Sequence, residues 1–201
     1  MLPLFILFTS FLSFSHPVIY QGGFVYWGSF KPSSNIQRAS YSFHHKLSFE
    51  LRSEWIKKSS YRDYTGGFNL LLKRFLFNKS QGNLYLSHQF GYYNEQRNDG
   101  FVNKASLIGD WESRTLYTAL NVSGKYINRL KTQYSGRIGF APYEGDLETL
   151  QSWLVLQASY NEELSKNIVI TPMLRFFYQN VLWELGATSK SEYFFTLMVH
   201  Y

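Results

Sequence analysis

Ser191–Tyr201, SEYFFTLMVHY, closes the chain and decides how the rest is read. Counting back from the end, Tyr201, Val199, Leu197, Phe195 and Tyr193 are all apolar or aromatic. The interleaved set, His200, Met198, Thr196, Phe194 and Glu192, is mixed. Alternation of period two gives a β-strand with one apolar face and one mixed face. The edge strand of a soluble sandwich is the competing reading, but such a strand rarely leaves so aromatic a stripe without a charge to blunt it. The stripe is therefore expected to face an apolar medium.

The composition points the same way. A chain of 201 residues is one domain by length, and it holds no cysteine, so neither a disulfide framework nor a thiolate metal site is available. Aromatics make up 19%, with 16 Tyr and 18 Phe, which suits the aromatic girdles of a barrel at two membrane interfaces. Mean hydropathy is −0.25, and no apolar run after the N-terminus is long enough for a transmembrane helix. The formal charge of +6 is spread along the chain instead of gathered into a basic tract, which argues against nucleic-acid binding.

The length of the last strand and its aromatic carboxyl end resemble the closing strand of bacterial outer-membrane β-barrels. In that family the pattern is the signal read by the barrel assembly machinery, so Tyr193, Phe195, Leu197, Val199 and Tyr201 are the residues the resemblance assigns to it. It also implies an outer-membrane localisation in a Gram-negative envelope, with lipid and lipopolysaccharide as surroundings. Both chain ends would lie in the periplasm, strand number would be even, and periplasmic turns would be shorter than outer loops.

Met1–Ser15, MLPLFILFTSFLSFS, is apolar, too short to span as a helix, and ends with Ser13 and Ser15 spaced as in a cleavage site. It reads as a secretory signal peptide, leaving residues 16–201 as the barrel domain. Cleavage after Ser15 would make His16 the first mature residue, where amine and imidazole suit Cu(II). His16 is thus a weak metal candidate, and no cofactor is otherwise expected.

Alternating segments then follow: Gly22–Phe30, Gln37–Phe43, Leu47–Lys57, Thr65–Phe77, Asn83–Tyr93, Ala105–Tyr126, Lys131–Ala141, Leu150–Tyr160, Ile168–Trp183 and the closing strand. In Leu47–Lys57, Leu47, Phe49, Leu51 and Trp55 share one face, and Ser48, Glu50, Arg52 and Glu54 share the other. A basic residue facing lipid costs about 2–4 kcal/mol at the midplane, so the charged face is expected inside. In Asn83–Tyr93 the apolar set carries His88 outward with it. FNLLLKRFLF, within Thr65–Phe77, does not alternate cleanly. Asn94–Gly100, Pro142–Asp146 and Glu184–Lys190 read as outer loops.

Strand number depends on Asp110-Trp111-Glu112-Ser113-Arg114. Read inside one long strand, Leu107, Trp111 and Tyr117 face out, and Asp110, Glu112 and Arg114 face in. That reading puts the short turns at His44–Lys46, Asn78–Gly82, Asn128–Leu130 and Asn161–Lys166 on one side, whereas a turn there gives an odd count. The fold expected is an all-β transmembrane antiparallel up-and-down β-barrel of about 10 strands, with roughly 8 or 12 as alternatives.

Inside it the sequence places a charge network of Glu50, Arg52, Glu54, Asp110, Glu112, Arg114, Lys131, Arg137 and Arg175. Small barrels are filled by side chains, so long Arg and Glu side chains can plug the bore through paired hydrogen bonds or line a narrow conduit. Outer-membrane lipid hydrolases use a His and a Ser two residues apart. Ser42 and His44 have that spacing in the opposite order, with Glu50 as a possible orienter, but they fall at the periplasmic end. Omptin-type proteases need His and acidic residues in the outer loops, and the outer loops here hold no His. The function expected is a non-enzymatic barrel, structural, surface-interacting or a narrow solute pore. A lipid-acting hydrolase and a copper-linked envelope protein are the alternatives.

Overall fold

The computed structural model describes residues 16–96, 98–145, 149–163 and 165–201, and the expected signal peptide lies outside them. Twelve antiparallel strands close into a barrel: β1 (Phe24–Phe30), β2 (Ser34–His44), β3 (Leu47–Ile56), β4 (Tyr61–Leu76), β5 (Ser80–Glu95), β6 (Asn98–Ser113), β7 (Leu116–Tyr126), β8 (Leu130–Phe140), β9 (Gln151–Asn161), β10 (Ser165–Tyr178), β11 (Val181–Ala187) and β12 (Tyr193–His200). Each pairs with its neighbours in sequence, and the ring closes where β1 meets β12, with Tyr26 opposite Val199 and Gly28 opposite Leu197. The terminal alternation thus forms the closing strand, and its stripe faces outward.

The strand count corrects the expectation of about ten. Two tight turns lie inside segments that read as single strands. Ser113 pairs with Ser80 at the end of β6, and β7 starts at Leu116, so Arg114 and Thr115 form a hairpin loop. Tyr178 pairs with Val181, leaving Gln179 and Asn180 as the loop between β10 and β11. Gln179 adopts φ 53°, a left-handed conformation for which Gly is the usual residue, so nothing in the sequence marks that turn. Asn94–Gly100 is likewise a tight hairpin instead of a long loop, since Glu95 pairs with Asn98. With two added turns, the loop Pro142–Asp146 begins on the same end as the termini. Asn128–Leu130 and Asn161–Lys166 move to the far end.

Alternation builds the wall. Outward side chains such as Leu51, Phe68, Phe90, Leu120, Ile138, Leu154 and Leu174 are exposed, which makes the outer surface of the barrel apolar. His88 sits among them, opposite Phe68 and Ala105. On β4 a bulge between Leu71 and Lys73 breaks the phase, which is why FNLLLKRFLF fits neither face cleanly. After it Arg74 turns inward, its Nε donating to Asn83 Oδ1 at 2.8 Å. Gly67 and Gly91 sit where β4 and β5 approach most closely, since a Cβ on either would lie 2.0 Å from a carbonyl oxygen of the opposite strand.

The wall is uneven. β4, β5 and β6 each run 16 residues, whereas β1 and β11 run 7 and β12 runs 8. The core is the lumen itself, with apolar clusters around Trp153, Met173 and Phe194 on one side and around Tyr61, Tyr93 and Val102 on another.

Candidate functional site

Inward residues of nearly every strand converge on a lumenal cavity of about 710 Å³. Among the described residues nine Lys and Arg line it against five Asp and Glu, so the bore carries an excess of positive charge.

The ionic side chains form three groups. The first is a chain of ion pairs along one side of the wall. Arg52 Nη2 lies 3.1 Å from Glu54 on β3, and Lys104 Nζ on β6 bridges Glu54 at 2.8 Å and Asp63 on β4 at 2.6 Å. Lys125 on β7 continues it to Glu163 at 2.6 Å, and Lys131 on β8 meets the same carboxylate at 3.0 Å. The hydroxyl of Tyr61 donates to Asp63 at 2.7 Å, and Lys125 Nζ sits 3.7 Å from the Tyr61 ring. Shared carboxylates bridging several cations hold neighbouring strands in register from the inside.

The second group is compact and dry. Glu184 on β11 accepts from Arg175 Nε at 2.8 Å and lies 2.7 Å from its Nη2, with Arg137 Nη1 at 3.2 Å. Arg175 is 0% exposed and its guanidinium stacks 4.5 Å from the Tyr117 ring. Arg137 also donates from Nε to Gln157 at 2.6 Å and keeps a quarter of its side chain open to the cavity.

The third group is the least compensated. Arg38 on β2 pairs directly across the ladder with Arg52 on β3, both on the lumenal face. Like charges directly opposite on a sheet repel. Arg38 stacks 4.6 Å over the Trp27 ring, and its buried Nε has no hydrogen-bond partner among the described residues, nor has Arg52 Nε. Glu50, next to Arg52 on the same face, is occupied by amides: Asn69 donates to it at 3.3 Å and Gln89 donates to its other oxygen.

Of the residues read from the sequence, Glu50, Arg52, Glu54, Asp110, Lys131, Arg137 and Arg175 occupy lumenal positions, and Glu112 is buried beside them. Arg114 does not. It lies in the β6–β7 loop with its side chain 70% exposed, 3.2 Å from the equally open Glu144. Tyr117, expected outward, is buried in the lumen, because the turn at Arg114 and Thr115 shifts the phase by one residue. Arg38, Asp63, Lys104, Lys125, Glu163 and Glu184 were missed. Asn121 and Lys125 would face lipid if Ala105–Tyr126 were one strand, and that conflict was the signal for the missing turn.

The hydrolase constellation does not assemble. Ser42 Oγ accepts from the Ile19 N–H at 3.1 Å, while His44 lies exposed past a register shift, accepting from the Lys46 N–H at 3.3 Å. Glu50 faces Ser40 instead of Ser42. His16, the copper candidate, is buried at the termini end between Asp110 and Glu112, and no group among the described residues combines three or more metal-ligating side chains in reach of one ion.

No family model matches the chain, and no curated protein matches it. The fold does match solved structures. KdgM porin in complex with disordered oligogalacturonate aligns at a TM-score of 0.54 with 15% identity, covering 89% of this chain and 98% of that one. A second structure, of KdgM porin, aligns at a TM-score of 0.54 with 14% identity over the same shares. At such identity the likeness is one of fold, and it takes in nearly the whole of both chains.

Proposed function

We propose that the protein is a small bacterial outer-membrane β-barrel, without catalytic activity, that passes small anionic solutes through a narrow charge-lined lumen. The observation carrying this reading is Arg38 set against Arg52 on the lumenal face, with buried guanidinium nitrogens left without partners. Buried donors without acceptors are costly unless something else supplies the acceptor, and a carboxylate or phosphate does so with bidentate geometry. The fold likeness to KdgM porin, whose structure holds oligogalacturonate, makes carboxylate-bearing sugars the first solutes to try. Twelve strands lie between the barrels that side chains fill and the roughly 16-stranded ones with open channels, so a constricted path is the reasonable width.

Two surface assignments accompany it. The outward stripe of β12 would be the signal for the assembly machinery. At the far end, Arg62 and Lys57 stack over Trp55 at 4.6 and 5.7 Å on the outer face, where they would suit phosphates of lipopolysaccharide. A second reading, a closed structural barrel, is favoured by the continuous ion pairs from Arg52 to Lys131.

The test is planar-bilayer recording of the refolded protein across a potassium chloride gradient, with native folding checked by heat-dependent gel mobility. The expected reversal potential lies toward chloride and shifts toward potassium in Arg38→Gln/Arg52→Gln. Potassium-selective current in the unaltered protein sinks the anion reading. Silence in every state, including the loosened variant described next, leaves the structural barrel.

A further inference from the structure

The two ends of the lumen are built differently. Ahead of β1, residues 16–19 run inside the barrel at the termini end. Val18 is 0% exposed, His16 7% and Ile19 8%. The segment begins from an anchor on the β1–β2 side, where the Gly22 N–H donates to the Ser42 carbonyl at 2.6 Å. It then crosses the bore. Ile19 packs with Val25, Phe177, Leu182 and Met198, and its N–H donates to Ser42 Oγ. Ser48 Oγ donates to the Pro17 carbonyl at 2.7 Å, and Val18 packs against Leu71 and Tyr85. His16 finishes on the opposite wall, with Nδ1 3.3 Å from Asp110 and Nε2 3.6 Å from Glu112 on β6.

The cavity ends at this strap. His16 and Pro17 line it, whereas Ser42, Ser48, Tyr85, Glu112, Leu182 and His200, all lumen-facing and nearer the termini end, line none of it. Yet the strap takes no part in the ladder. The ring closes through β1 and β12 without it, so it can leave without breaking a strand pair. Its grip on the wall is two hydroxyl hydrogen bonds, the apolar packing of Val18 and Ile19, and one ionic seat. The seat is long: the His16 nitrogens lie 3.3 Å from Asp110 and 3.6 Å from Glu112, and Glu112 Oε2 has no hydrogen-bond partner among the described residues. Buried polar groups left in that condition mark a contact that is not optimised for permanence.

We propose that residues 16–19 are a displaceable plug that closes the termini end of the lumen and opens it when His16 leaves its seat between Asp110 and Glu112. This regulation rests on the channel reading above. Solute entering at the basic far end would meet the Arg38–Arg52 pair and then the strap, so the strap sets whether the path conducts.

Because the chain has no cysteine, a single introduced pair can lock the strap. The experiment records potassium chloride conductance of the full chain carrying Ile19→Cys/Ser42→Cys, oxidised and then reduced, beside a loosened Val18→Ser/Ile19→Ser variant. Each variant is accepted only if its gel mobility shows the native heat-sensitive barrel. The oxidised staple is expected to be silent, reduction to restore intermittent steps, and the loosened variant to conduct several-fold more than the unaltered protein. Equal conductance in the oxidised and reduced staple overturns the plug and leaves the channel standing. Silence of the folded reduced staple and of the folded loosened variant overturns the plug together with the channel.

Discussion

The arginines at Arg175 and at Arg38 are both inside the barrel, and they differ in what surrounds them. Arg175 is fully buried, shares Glu184 with Arg137, and stacks on Tyr117. Arg38 faces another arginine across the ladder, stacks on Trp27 and has no carboxylate at ion-pair distance among the described residues. In the first case a carboxylate sits 2.7 Å from the guanidinium, although Nη1 of Arg175 has no hydrogen-bond partner among the described residues. In the second an aromatic face is in contact, the carboxylates of Glu50 and Glu54 act only from a distance, and Nε has no partner among the described residues. Position in a lumen therefore does not separate a charge held by the wall from one left facing the bore. A contacting carboxylate does.

The comparison is open to direct attack. Glu184→Gln removes the carboxylate that the buried Arg175 shares with Arg137, and breaking a buried pair on one side costs about 3–5 kcal/mol. The temperature at which the barrel loses its native gel mobility should fall sharply. If it does not, the Arg175 group is not structural. Arg38→Gln should change stability by less than about 1 kcal/mol, since it relieves a like-charge pair, while moving the reversal potential toward potassium. A stability loss as large as that of Glu184→Gln would erase the distinction.

A third charged group offers a smaller, pH-dependent effect. His16 precedes the first strand and faces Asp110 and Glu112 on β6, Tyr85 on β5 and His200 on β12, with Arg74 on β4 nearby. Burial alone would lower its pKa, but hydrogen bonding and charge from Asp110 and Glu112 outweigh burial and raise it to about 9. A raised folded pKa stabilises fully below the ordinary value of 6.5 and loses that contribution as pH climbs through about 9. Channel openings are expected to become more frequent across that interval, and His16→Gln should flatten the dependence. The smallest effect belongs to Arg114→Ala. Its partner Glu144 is also well exposed, so the pair contributes about 0–1 kcal/mol, and a thermal shift within error is the expected outcome.

Much of the wall was legible residue by residue. In β3, β8 and β9 the alternation separates outward Leu51, Ile138 and Leu154 from inward Arg52, Arg137 and Gln157 without error. It failed where a two-residue turn interrupts an unbroken apolar rhythm. Across Arg114–Thr115 the inward parity passes from even positions, Asp110 and Glu112, to odd ones, Tyr117 and Lys125. Across Gln179–Asn180 it passes from Arg175 and Phe177 to Leu182 and Glu184. The first slip was present in the sequence as Lys125, a charge that one long strand would push outward, whereas Glu184 lies just past the end of Ile168–Trp183 and marks nothing within it. The turns lack the Gly or Asn-Gly that normally announces a hairpin.

A two-residue period is a local property of each strand, so the order of residues already specifies a barrel with an apolar outside and a charged inside. The number of strands, the partners of each charge and the crossing of the lumen by residues 16–19 emerge only in the closed ring. Those depend on contacts such as Lys104 with Glu54 and Arg137 with Glu184, which join residues far apart in the chain. Alternation states which face a side chain takes, but ring closure brings it to its partner.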